Sequence, residues 1–174
     1  MSDKPSCGAT RYASDHGIAC LTYPDKSEAD EGYGRLVRAL KEELRVDYIL
    51  LAGYLKFISP DLVRAYDRAM LNIHPALLPS FGGKGYYGMR VHEAVVASGV
   101  RYSGATVHFV NEKYDEGRIV AQACVPVLPT DTPEDLARRV LKREHEVYPE
   151  VVAALCDGRI EWGEDGKPVI WTPL

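Results

Sequence analysis

Asn72-Ile73-His74-Pro75 is where residue types and spacing in this sequence meet a chemical need. In extended backbone, side chains two residues apart point the same way, so Asn72 and His74 would project together. An amide N–H can face an oxygen on which negative charge develops, and an imidazole can give or take a proton near neutral pH. Pro75 fixes the backbone at the strand exit and would hold both side chains still. Asp115, in Tyr114-Asp115-Glu116-Gly117, is a carboxylate that could face the imidazole and raise its pKa. Each residue also has a plainer reading. Asn72 suits a turn, His74 a core position with satisfied nitrogens, and Asp115 a turn before glycine. For an isolated N-x-H, spacing alone favours the plainer reading.

The elements that must position these residues alternate along the chain. Asp47–Ala52 is a continuous apolar run closing on Gly53, the pattern of a buried parallel strand, and Ala69–Ile73 is a second, ended by Pro75. Ile18–Tyr23 reads as a short strand. Ser27–Leu44 reads as a helix with Ser27 or Asp30 as cap, and Ser59-Pro60-Asp61 opens another with Ser59 at the cap. After a Gly-rich loop, Pro79–Gly88, a helix runs through His92, Ala94, Val95 and Val96. Ala105–Asn111 and Arg118–Val127 read as strands that pair across the Tyr114–Gly117 loop. Thr132 caps a long helix toward Cys156, with Pro133 at its first position and Glu134 and Asp135 at the positive end of its dipole. Arg159–Leu174 suggests a hairpin around Asp165-Gly166. The alternation predicts an α/β fold: a mostly parallel twisted sheet, helices on both faces, and an antiparallel edge. Ligands in such sheets sit beyond the carboxyl ends of the parallel strands. The loop after Ala52 and the segment with Asn72 and His74 leave from those ends.

The 174 residues suit one domain, 1–174, with one core. With 46% hydrophobic and 26% charged residues, a soluble globular chain is expected. A net charge of −4 advertises neither nucleic acid nor an anionic membrane as partner. No apolar run approaches the roughly 18 residues of a membrane span, and Met1–Arg11 lack the apolar core of a signal peptide. Cys7, Cys20, Cys124 and Cys156 show no C-x-x-C spacing. They are expected to be reduced, mostly buried thiols in a cytoplasmic compartment, without a zinc site.

Longer segments carry a resemblance. Leu71–Pro79 (L-N-I-H-P-A-L-L-P) is similar to the active-site strand of glycinamide ribonucleotide formyltransferases. Gly104–Val127 follows the same family's signature, G-x-T-V-H-F-V and then Y-D-x-G, throughout. Leu50–Pro60 (L-L-A-G-Y-L-K-F-I-S-P) resembles its folate-pocket loop, and Arg143–Pro149 (R-E-H-E-V-Y-P) its late helix. The match covers almost the whole chain.

The resemblance implies transfer of a formyl group from 10-formyltetrahydrofolate to the amine of 5-phosphoribosylglycinamide in purine biosynthesis, without a metal. Asn72 would hydrogen-bond the formyl oxygen, His74 would be the general acid, and Asp115 would keep His74 basic. Leu55, Lys56, Phe57 and Ile58 would line the pterin pocket, as would Asn111, Glu112, Lys113, Tyr114 and Asp115, largely through backbone groups. Leu141, Lys142, Arg143 and Glu144 would meet the ribonucleotide, with Glu144 on its ribose or amine end. His108 and Thr106 read as mainly structural, Thr106 near a water. Small-molecule substrates and a monomer or homodimer follow from the same resemblance.

The family also has a strand, a G-x-G-S-N-type loop and a helix at its start, whose backbone amides hold the substrate phosphate. The sequence lacks them. Met1–Pro5 resembles the end of the family's second strand, so roughly fifty residues are expected ahead of it. The family's folate-contacting arginine has no clear match near Asp30. Phe81-Gly82-Gly83-Lys84-Gly85 lacks P-loop spacing and reads as a mobile loop beside the cleft, with Lys84 a candidate for substrate phosphate. Tyr86 and Tyr87 read as loop packing, and Lys41–Glu43 and Arg138-Arg139 as solvated helix faces. Two other functions compete. A formyltetrahydrofolate hydrolase shares the Asn, His and Asp set but uses water in place of an amine. A non-catalytic remnant, or a half completed by a partner, is of another class. A methionyl-tRNA formyltransferase would add a basic C-terminal domain.

Overall fold

The computed structural model describes residues 1–2, 4, 6–21, 29–56 and 58–171. Ser27, the Asp30 side chain and Phe57 lie outside what is described. The chain divides into two compact units, Met1–Asp47 and Tyr48–Leu174.

The first unit contains helix α1 (Gly8–Asp15) and helix α2 (Ala29–Arg38), the latter running into a wider π turn, Ala39–Glu43. Residues 18–21 are irregular where a strand was expected. The apolar positions there have no face to bury: Ile18 is 56% exposed, and its N–H closes back on the Ala13 carbonyl after Gly17 turns left-handed. On α2 and its extension, Leu36 and Leu40 fall four residues apart and are buried, as an amphipathic helix requires.

The second unit carries a four-stranded mixed sheet in the order β1 (Ile49–Leu51), β2 (Met70–His74), β3 (Tyr102–Phe109), β4 (Ile119–Pro126). β1 and β2 are parallel, with Leu51 opposite Asn72. β3 runs antiparallel to β2 and β4 antiparallel to β3, which makes the antiparallel edge. Helix α3 (Pro60–Ala65) joins β1 to β2. It starts where Ser59 accepts the Leu62 N–H at 3.2 Å, with proline at its first position. Helix α4 (Met89–Ser98) follows the Gly-rich loop, and α5 (Pro133–Cys156) follows β4. Thr132 and Asp135 form a reciprocal capping box at the start of α5. A two-stranded hairpin, β5 (Ile160–Trp162) and β6 (Pro168–Ile170), closes the described chain.

Strand alternation separates the two faces of the sheet. Leu71, Ala105, Val107, Phe109 and Val125 form one core with Val91 and Val95 of α4 and Leu136, Val140, Val147 and Val151 of α5. Their neighbours Asn72, His74, Thr106, His108 and Gln122 therefore point to the opposite face. Register brings those polar residues side by side: Asn72 lies opposite His108, and His74 and Gln122 both lie opposite Thr106. A bulge between Val107 and His108 shifts the pairing beside His108. Tyr148 of α5 ties the parallel pair together, donating to the Leu51 carbonyl at 2.9 Å and the Leu71 carbonyl at 3.2 Å.

Candidate active site

A cavity of about 540 Å³ opens at the carboxyl ends of β1 and β2, where the switch in an α/β sheet places ligands. Asn72, His74, His108 and Asp115 share its lining. His74 is buried, and its Nε2–H donates to the Phe81 carbonyl at 2.8 Å. That bond leaves Nδ1 facing Asp115, whose Oδ2 is 3.6 Å away. Nδ1 is thus the ring atom beside a carboxylate and able to take up and release a proton.

Asp115 faces a second imidazole. Its Oδ1 lies 3.6 Å from His108 Nε2, and its Oδ2 accepts the Gly83 N–H at 2.9 Å. His108 Nδ1–H donates to the Phe109 carbonyl at 3.0 Å, so in the neutral ring Nε2 accepts from the Asn72 amide, 3.2 Å away. Asn72, His108, Asp115 and His74 therefore form one continuous chain of contacts. His108, expected to be mainly structural, is part of the site because β3 register sets it against Asn72. The cue available in sequence was its place two residues after Thr106, on the same strand face.

Burial sets the pKa of His74 below the ordinary imidazole value. Asp115 and the Phe81 carbonyl push the other way without overcoming it. The expectation that Asp115 keeps His74 basic holds for the sign of that interaction, but desolvation is the larger effect. Burial likewise pushes Asp115 upward. The neighbouring His108 ring and the charge of His74, with the Gly83 N–H, outweigh it and leave the carboxyl below its usual range.

Two backbone features fix these groups. Asp115 itself adopts φ 55°, and two residues later Gly117 passes so close to the Phe109 carbonyl that any Cβ would collide with it. The turn after His74 is braced by Thr106. Its hydroxyl donates to the Ala76 carbonyl at 2.6 Å and accepts the Leu78 N–H and the Gln122 amide, each at 3.0 Å. Gln122 also donates to the Leu78 carbonyl at 3.0 Å. Thr106 thus holds backbone directly, not the water expected of it.

Of the residues expected at a pterin pocket, Leu55, Lys56, Ile58, Asn111, Lys113, Tyr114 and Asp115 line the cavity. Glu112 does not, and its carboxylate pairs with Arg64 at 2.7 Å. Of the four residues expected to meet the ribonucleotide, Leu141 and Glu144 line it. Lys142 and Arg143 are exposed on the outer face of α5, and Arg143 pairs with Glu146 one turn on. Burial raises the Glu144 pKa. Lys84 also lines the cavity. So do Tyr86 and Tyr87, which stand at its wall, about 40% exposed, where loop packing was expected.

Two further expectations change. Arg139 is not a solvated charge. It grips Asp131 in a bidentate pair at 2.6 and 2.8 Å and holds that carboxyl down to about 2. The cysteines are free but not mostly buried: Cys20, Cys124 and Cys156 are exposed and Cys7 is half-buried. Cys124 faces away from the core on β4, the sheet's last strand, and Cys156 ends α5. Among the described residues, no helix is long and apolar enough to cross a membrane.

Residues 1–152 match the family model described as formyl transferase. Over 172 residues the chain is 54% identical to the chloroplastic phosphoribosylglycinamide formyltransferase of Vigna unguiculata, covering 98% of this chain and 55% of that one. The chain spans about half the length of the curated plant relatives it matches. The crystal structure of a phosphoribosylglycinamide formyltransferase from Anaplasma phagocytophilum aligns with a TM-score of 0.85 at 31% identity, over 99% of this chain and 80% of that one. A formyltetrahydrofolate deformylase from Pseudomonas syringae pv. tomato aligns with a TM-score of 0.83 at 27% identity, over 98% and 54%.

Proposed function

The chain belongs to the formyl transferase family, and from that premise we propose that it moves the formyl group of 10-formyltetrahydrofolate onto the primary amine of phosphoribosylglycinamide. The observation that carries the reading is the contact chain Asn72–His108–Asp115–His74, set into a cavity whose size suits a small-molecule site. The names of the plant and bacterial relatives support the substrates.

In this reading the amine adds to the formyl carbon, and the oxygen that gains negative charge faces the Asn72 amide. His74, protonated at Nδ1 beside Asp115, gives that proton to the departing folate nitrogen as the carbon–nitrogen bond breaks. The proton lost by the incoming amine returns the ring to its starting state through the Asp115 carboxylate. A positioned acid contributes roughly 10²–10⁴-fold and one oxyanion donor roughly 10²–10³-fold. Leu55, Lys56 and Ile58 with the 111–115 loop serve the folate, and Leu141 and Glu144 serve the sugar. Both substrates are small molecules, handled by a monomer or homodimer. A reducing compartment, cytosolic or plastid, suits four free thiols.

The deformylase-like fold keeps one alternative acceptor, water, in view. Following folate release from 10-formyltetrahydrofolate with and without the ribonucleotide decides between them. Release that requires the amine, with formylated amine as product, supports transfer. Equal release without the amine makes the chain a hydrolase.

A further inference from the structure

His92 lines the same cavity, yet the roles assigned so far do not use it. It sits on α4 with 6% of its surface exposed. Among the described residues, its Nδ1 is buried with no hydrogen-bond partner. The other two histidines of the cavity wall are satisfied: His74 by the Phe81 carbonyl, and His108 by the Phe109 carbonyl and Asn72. A buried imidazole ordinarily donates from one nitrogen and accepts at the other, and leaving a buried polar group unpaired is costly. An apolar side chain would fill this position at less cost if packing were its whole purpose.

The surroundings indicate which ligand the ring serves. Met89 and His92, three residues apart on α4, both line the cavity, and α4 packs against α5. α5 contributes Ala137, Val140, Leu141 and Glu144 to the lining. His92 therefore belongs to the wall built by the two helices, apart from the 54–58 and 110–115 loops. Burial and the nearby charge of His74 both disfavour a proton on His92, so its ring is neutral and keeps a lone pair. A neutral imidazole and a carboxylate on one wall offer two acceptors to a ligand rich in hydroxyl or amine donors.

We propose that His92 is a binding residue for the acceptor substrate, its ring hydrogen-bonding a hydroxyl or amine of the phosphorylated aminosugar on the wall that carries Glu144. The inference rests on the formyl-transfer reading and adds to it a residue that recognises the acceptor.

The test compares wild type with His92→Leu and His92→Gln in acceptor KM and kcat, in calorimetric titration of phosphoribosylglycinamide without the formyl donor, in folate affinity and in Tm. Loss of one buried hydrogen bond should raise acceptor KM and Kd about tenfold in His92→Leu. Folate affinity and kcat should stay near wild type, and Tm should hold or rise because the unpaired nitrogen is gone. Gln, which restores a hydrogen-bonding group, should recover most of the loss. If His92→Leu binds the aminosugar as wild type does, or weakens folate as much as acceptor, the proposal is overturned. If His92→Leu fails to fold, His92→Gln with unchanged acceptor Kd and a lowered Tm has the same effect. Wild type that binds the aminosugar but transfers no formyl group to it would instead overturn the formyl-transfer reading, while the calorimetric comparison still judges His92.

Discussion

Asp115→Asn isolates what the carboxylate does for His74. Asn keeps the shape of the side chain and can still accept the Gly83 N–H, so the loop need not move. What disappears is a negative charge 3.6 Å from His74 Nδ1. An opposite charge at that range typically shifts a pKa by about 1–3 units. Here His108 lies equally close and shares the carboxylate, which divides its effect between two rings. The sign follows from the chemistry. A carboxylate favours imidazolium, so its loss lowers a His74 pKa that burial has already depressed. With His74 as the proposed acid, the alkaline limb of the rate profile should move down in pH with it. On that limb the rate should fall about tenfold for each unit that the limb moves, since each unit corresponds to about 1.36 kcal/mol. Rates measured from about pH 5 to about pH 9, with an NMR titration of the His74 ring, would show it. An unchanged His74 midpoint in Asp115→Asn would refute the reasoning.

Three further outcomes follow from the same geometry. Thr106→Val keeps the shape but strands the Leu78 N–H and the Ala76 carbonyl, so it should cost about 1–3 kcal/mol in urea unfolding and slow turnover by loosening the turn after His74. Gly117→Ala forces a methyl group into the Phe109 carbonyl and should cost at least about 1–3 kcal/mol while reducing kcat through displacement of Asp115. Stability should rise with pH in two windows, read by urea midpoints. Asp115 is depressed in the fold, so its contribution is present above the ordinary carboxylate range and lost as pH falls through the depressed value. His74 and His92 are depressed too, so the unfolded chain binds their protons more readily and stability increases up to the ordinary imidazole pKa of about 6.5. A stability that declines between acid and neutral pH would contradict both.

Local rules made candidates of the core of the site. The two-residue spacing of Asn72 and His74, the proline after them and the Y-D-E-G turn offer candidates but alone favour the plainer reading, which the family resemblance of Leu71–Pro79 and Gly104–Val127 outweighs, while Ser59 and Thr132 announce their helices by cap chemistry. What could not be read depended on partners distant in sequence. His108 joins the site through a register between β2 and β3 that no residue of β3 encodes alone. Arg139 looks like a surface charge until the turn before α5 brings Asp131 to its guanidinium. Helix α1 spans eight residues and opens on Cys7, which makes no side-chain cap, so neither length nor cap chemistry announces it. In the strand expected at 18–23, Ile18 and Leu21 are exposed, and residues 22 and 23 lie outside those described. Exposure of Cys124 and Cys156 likewise depends on which sheet face and helix end they occupy.

The proposed transfer depends on His74 as the proton donor within a folate-binding cavity. The direct measurement is a paired one on His74→Ala: transfer of a labelled formyl group from 10-formyltetrahydrofolate to phosphoribosylglycinamide, and folate affinity by calorimetry on the same sample. The expected result is transfer reduced at least about 10²-fold with folate affinity nearly unchanged, because the proposed role of the lost group is on the leaving nitrogen and not on the pterin. Transfer by His74→Ala at the wild-type rate would contradict it.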